Sequence, residues 1–124
     1  MRILVADDYE VVRKGACTIL TSHFDVECIE ACDGEDAVRK ALSYLPDVVI
    51  LDINMPALGG FGAAKEIRRL LPETPIVFFT MHAGEQFVSE AKKAGVQGFV
   101  AKDRAGDTLV KAVEAVLRKE TFFN

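Results

Sequence analysis

The chain has 124 residues, half of them hydrophobic and 27% charged, with a formal net charge of −4. That is enough apolar material for one core and too little length for a second domain, and the negative balance excludes a broad basic face for nucleic acid. Apolar runs reach only four or five residues, so neither a membrane span nor a signal peptide is expected, and the chain reads as soluble and cytoplasmic.

The first element is the apolar run at residues 3–6, a short strand entered directly from the N-terminus. Val12, Ala16, Ile19 and Leu20 then recur at helical spacing. Residues 25–32 return to strand character, but Glu27 and Glu30 interrupt the apolar positions, which suits a strand at a sheet edge. A second helical stripe is Ala37, Val38, Ala41 and Leu42. Residues 48–51, Val-Val-Ile-Leu, form a strand apolar on both faces, as in a parallel sheet covered by helices on both sides. A third helix follows at Phe61, Ala64, Ile67 and Leu71, then a strand at 76–79. The fourth helix carries Phe87, Val88, Ala91 and Ala94, and the fifth strand is 98–101. Leu109, Val110, Val113, Val116 and Leu117 line one side of the last helix and leave Lys111, Glu114 and Lys119 for the other. Pro46 and Pro72 stop two helices, and Gly95 serves as the C-cap of another.

Strands alternating with helices through short loops predict an α/β fold, a doubly wound five-stranded parallel sheet in the order 2-1-3-4-5 with five helices. Residues 1–120 form the domain, and residues 121–124 read as a tail or the start of a linker. Cys17, Cys28 and Cys32 are odd in number and contain no CxxC pair, so they are expected to be reduced core residues, neither a disulfide framework nor a zinc site.

Ligands of such sheets bind beyond the carboxyl ends of the strands, near the point where strand order reverses. There the first strand ends in Asp7-Asp8, the third in Asp52, the fourth in Thr80 and the fifth in Lys102. Three ionised carboxylates in one place repel by roughly 4 kcal/mol per close pair at an effective dielectric near 20, so the cluster demands a cation. Hard oxygen donors favour Mg²⁺, with Mn²⁺ as a substitute; Asp8 and Asp52 are expected as direct ligands, Asp7 through water, and Asn54 through its backbone carbonyl. With Mg²⁺ and Lys102 the three carboxylates are neutralised, and Asp52 becomes a nucleophile toward phosphorus that would form an aspartyl phosphate. The phosphoryl group then adds negative charge, which Thr80 and neighbouring N–H groups can answer, drawing in the loop at 81–84 and letting Phe99 turn inward.

The stretches LVADD, LDINMP with Gly60 after it, FFTMH and GFVAKD occur in this order, each at the end of a predicted strand. Together they resemble the receiver domain of bacterial two-component response regulators, of the flavodoxin-like fold, over nearly the whole chain to about Arg118. The resemblance implies that Asp52 is the phosphoacceptor, Asp7 and Asp8 the acidic pair, Thr80 and Phe99 the switch pair, and Lys102 the lysine that contacts the phosphoryl group. It further implies a sensor histidine kinase as donor and a switched face made of helix four, strand five and helix five. FTMH, GFVAKD and the apolar last helix look most like the NarL/FixJ-like branch, whose receivers precede a LuxR-type helix-turn-helix. DNA would be reached only through such an output domain, which is not within this sequence. Two departures stand out: Met81 is bulkier than the residue usual after the threonine, which narrows access to the phosphoryl group, and Asp103 replaces a common proline, removing an expected cis peptide.

Asp7 or Asp8 alone would be a helix cap, and a Lys102–Asp52 ion pair without chemistry would leave two carboxylates unexplained. His82 reads as an exposed loop histidine within reach of a phosphate, and Gly59-Gly60 as a backbone turn. A stand-alone receiver acting by protein binding is one alternative function. An Asp-nucleophile phosphatase would want a second carboxylate where Asn54 stands, and a flavodoxin-like electron carrier would meet repulsion from Asp7-Asp8-Tyr9-Glu10 at the flavin phosphate. Phosphorylation is expected to change homodimerisation at the switched face, with helices one and five as another dimer surface.

Overall fold

In the computed structural model, which describes residues 1–81, 84–104 and 106–123, strands and helices alternate along the chain. They are β1 (Arg2–Ala6), α1 (Glu10–His23), β2 (Glu27–Ala31), α2 (Gly34–Tyr44), β3 (Val48–Leu51), α3 (Gly59–Leu70), β4 (Ile76–Thr80), α4 (Glu85–Lys93), β5 (Gly98–Ala101), α5 (Asp107–Leu117) and β6 (Phe122–Phe123). The sheet order is β2-β1-β3-β4-β5-β6, all parallel. The expected order is therefore present, with one addition: part of the segment read as a tail forms a sixth strand on the β5 edge.

Strand alternation divides the core in two. Leu4, Ala6, Val49, Leu51, Ile76, Phe78 and Phe99 face α2, α3 and α4. Ile3, Val5, Val48, Ile50, Val77, Phe79 and Val100 face α1 and α5. Both faces of the central strands are thus covered, which is why their sequences are continuously apolar. β2 lies at the edge as expected, and its Glu30 is held on the surface by Arg13 at 2.8 Å and Lys14 at 3.4 Å. Leu42, expected on the buried stripe of α2, is instead exposed, as is Leu117.

The cysteines depart from expectation. Cys17 of α1 and Cys28 of β2 are joined by a disulfide, with Cα atoms 5.9 Å apart. The short β1–α1–β2 connection lays α1 directly over β2, a juxtaposition invisible in an 11-residue spacing. Cys32, also expected in the core, is free and exposed just past the end of β2. Among the described residues no helix is long and apolar enough to cross a membrane.

Candidate functional site

Strand register assembles the site. Ala6 pairs with Leu51, and the ladder continues as the Asp52 N–H donates to the Ala6 carbonyl at 3.0 Å and the Asp7 N–H to the Ala31 carbonyl at 3.1 Å. Asp7 and Asp52 therefore leave adjacent strands at the same height. Thr80 pairs with Ala101, so Lys102 emerges beside them. One carboxylate oxygen each from Asp7, Asp8 and Asp52 lie within 4.8 Å of one another. Asp7 and Asp52 are buried, whereas Asp8 is exposed.

Lys102 does not stand apart from these acids. Its Nζ lies 2.7 Å from Asp7 Oδ2 and 3.1 Å from Asp52 Oδ2. Burial alone would pull the ammonium pKa down, but the adjacent carboxylates of Asp7 and Asp52 outweigh it and hold it above its ordinary value. Asp7 Oδ1 accepts from the Tyr9 N–H at 2.9 Å. Asp7 Oδ2, fully buried, has the ammonium close by but no well-aligned hydrogen bond. An all-oxygen donor set with one under-satisfied buried oxygen and an exposed third carboxylate fits a hard divalent cation that retains several waters, as Mg²⁺ does.

Beside the acids opens a depression of about 450 Å³ lined by Tyr9, Val12, Asp52, Asn54, Met81 and Lys102. Asn54 is exposed in the loop after Asp52, on the same side as the carboxylates. Met81 is 72% exposed and forms one wall. Thr80 is fully buried at the end of β4. Phe99 is only 1% exposed and meets Phe78 edge-on at 6.5 Å, so the aromatic ring already faces inward. His82 and residue 83, the middle of the turn at 81–84 drawn into the expected switch, lie outside the described residues.

Two residues that support the site were not singled out as such from the sequence. Arg13 donates from Nε to Glu30 and from an Nη to the Asp7 carbonyl, both at 2.8 Å, tying the acidic turn to the sheet edge. Gly60, read only as part of a turn, lies in the first turn of α3 against the loop that follows Asp52. A Cβ there would fall 2.2 Å from the Asp52 carbonyl oxygen and 2.5 Å from Ile53 Cα, so only glycine allows α3 this close. Its N–H donates to the Ile53 carbonyl at 2.9 Å. The sequence signal is its place eight residues after Asp52, in the Gly59-Gly60 pair that follows the Met-Pro turn.

Residues 3–114 match the model of the response regulator receiver domain. Among curated proteins, the oxygen regulatory protein NreC of Staphylococcus epidermidis is 38% identical over 98% of this chain and 57% of its own length. The transcriptional regulatory protein YxjL of Bacillus subtilis, described as uncharacterized, is 36% identical over 99% of this chain and 57% of its own length. The chain thus spans little more than half the length of these relatives. Among solved structures, a LuxR-family two-component response regulator from Aurantimonas sp. SI85-9A1 superposes with a TM-score of 0.93 at 34% identity, covering 98% of this chain and 87% of that one. The signal receiver domain of the response regulator NarL from Mycobacterium tuberculosis gives 0.88 at 33% identity, covering 94% and 95%.

Proposed function

This chain belongs to the response regulator receiver domain family, in its NarL-like branch, and from that premise we propose that it accepts a phosphoryl group on Asp52 from a sensor histidine kinase in the cytoplasm. The observation that carries the reading is the convergence of Asp7, Asp8 and Asp52 within 4.8 Å, with the Lys102 ammonium bridging the two buried ones, at the mouth of an open depression.

Asp52 is the acceptor because it is the buried carboxylate that also lines the depression, whereas Asp7 is turned to the backbone and Lys102. An oxygen of Asp52 forms the new P–O bond as the P–N bond to the donor imidazole breaks, and the imidazole keeps the electron pair and takes a proton. Asp8, Asp52 and Asp7 would hold Mg²⁺, with the Asn54 carbonyl as a further oxygen ligand. When bound, the ion supplies neutralisation of charge on the equatorial phosphoryl oxygens. Lys102 is within reach to transfer one ammonium contact from Asp52 to the phosphoryl group while keeping Asp7. Thr80, one residue beyond the level of Asp52 on the next strand, donates its hydroxyl to the added charge, and Phe99 on the neighbouring strand transmits the change to α4, β5 and α5.

The modified face then controls self-association or docking, and any DNA contact is made through a LuxR-type output domain outside this sequence. A phosphotransfer gel tests the assignment. Label from a phosphorylated kinase or from acetyl phosphate should reach the parent in the presence of Mg²⁺ and fail to reach Asp52→Asn; equal labelling of the variant would refute it.

A further inference from the structure

The chain's last described residues occupy a place that invites a role. α5 ends at a C-cap formed by Arg118, and Lys119 follows in the left-handed conformation with φ 63°. The Lys119 N–H donates to the Val116 carbonyl at 3.1 Å and the Glu120 N–H to the Ala115 carbonyl at 3.0 Å. This is a Schellman reversal built with lysine where glycine is usual, so a conformation unfavourable for a side-chain-bearing residue is held by two aligned hydrogen bonds. It turns the chain back along the sheet, where the Phe122 N–H donates to the Gln97 carbonyl at 2.9 Å and Phe122 and Phe123 take register with Gly98 and Phe99.

The two rings go to opposite faces. Phe122 packs with the α1/α5 core in register with Gly98, which brings no side chain of its own. Phe123 packs with the α2–α4 core as the immediate same-face neighbour of Phe99, and the Lys92 ammonium of α4 stands 4.9 Å over its ring. The segment therefore touches α4, β5 and α5 together. Only two residues are paired and both rings are half-buried, so this strand is among the more weakly held parts of the sheet.

We propose that the edge of β5 is a strand-accepting surface for an extended aromatic pair, filled by residues 122–123 of this chain, and that this strand is released when the acceptor site is charged. The second half rests on the reading of Asp52 as acceptor. Charge at Asp52 draws the Thr80 end of β4 toward itself, and β5, paired to β4 through Thr80 and Ala101, shifts with it out of register with Phe122 and Phe123. While seated, the strand covers Phe99 and closes the β5 edge to pairing with another chain.

Hydrogen exchange on the full chain, followed by mass spectrometry, separates the two halves of the proposal. In Phe122→Ser/Phe123→Ser, and more weakly in Lys92→Ala, amides of residues 97–101 should exchange at least tenfold faster while those of β1 and β3 keep the parent rate. Unchanged exchange at 97–101 would overturn the surface assignment and leave the Asp52 reading standing. Adding beryllofluoride with Mg²⁺ to the parent should speed exchange at residues 120–123 at least threefold. No change there, with fluorine NMR showing beryllofluoride bound, would overturn the release. The same acceleration in Asp52→Asn would instead refute Asp52 as acceptor.

Discussion

Replacing Lys102 with methionine removes one ammonium from between two buried carboxylates. Its contacts to Asp7 and Asp52 at 2.7 and 3.1 Å correspond to gross attractions of about 6 and 5 kcal/mol at an effective dielectric of 20. Most of that is offset by the cost of taking three charges out of water, and removing one partner from a buried charge cluster typically destabilises by about 3–5 kcal/mol. For a chain of 124 residues this lowers the melting temperature by roughly 10–20 °C. The loss should be greatest in EDTA. Mg²⁺ at about a hundred times its dissociation constant stabilises by about 2.7 kcal/mol through binding the folded state alone, and it should restore more of the variant's stability than it adds to the parent. Thermal and urea denaturation of both proteins, with EDTA and across a Mg²⁺ series, measures this. A variant melting within about 2 °C of the parent in EDTA would show that Lys102 does not compensate Asp7 and Asp52.

The pH dependence carries a definite sign. Because Lys102 is held above its ordinary value of 10.5, its contribution is fully present below that pH and is lost as pH rises through the folded-state value. The stability gap between the parent and Lys102→Met should therefore stay constant from about pH 7 to 9 and shrink in more alkaline urea melts; a gap that closes already by pH 9 would contradict the pairing. Gly60→Ala places a methyl against the backbone of Asp52 and Ile53 and should cost about 3 kcal/mol, with weakened Mg²⁺ binding in titration calorimetry. A neutral result would mean that α3 does not need this close approach. Arg13→Ala frees the Asp7 carbonyl and Glu30, and should cost about 1.5–3 kcal/mol in urea and weaken Mg²⁺ several-fold, whereas loss of stability alone would leave Arg13 a surface tie without influence on the acids.

Much of the fold was legible because parallel strands buried on both faces must be apolar throughout. The runs at 48–51 and 98–101 coincide with β3 and β5 to the residue. The acids were legible because each directly follows such a run, and parallel register brings strand ends together. What escaped depends on pairings that no local pattern encodes. Arg13 looks like any polar helix residue until Glu30 and the Asp7 carbonyl are placed beside it. Cys17 and Cys28 meet only through the packing of α1 on β2. The Phe122–Phe123 strand is shorter than any periodicity can reveal, and its direction is set by the reversal at Lys119, a residue with no turn signature of its own. Phe99, expected to turn inward on activation, is buried already, beneath a neighbour that the sequence left unassigned.

Site-resolved phosphotransfer tests the role of Asp52 most directly. The parent, Asp52→Asn, Asp7→Asn and Asp8→Asn are incubated with a phosphorylated histidine kinase in Mg²⁺ or EDTA, and the products are mapped by borohydride reduction and peptide mass spectrometry. Modification of the parent should depend on Mg²⁺ and fall on Asp52 alone, with none in Asp52→Asn and strongly slowed transfer in the other two variants. Modification at another residue, or transfer to Asp52 at the same rate in EDTA, would contradict that role.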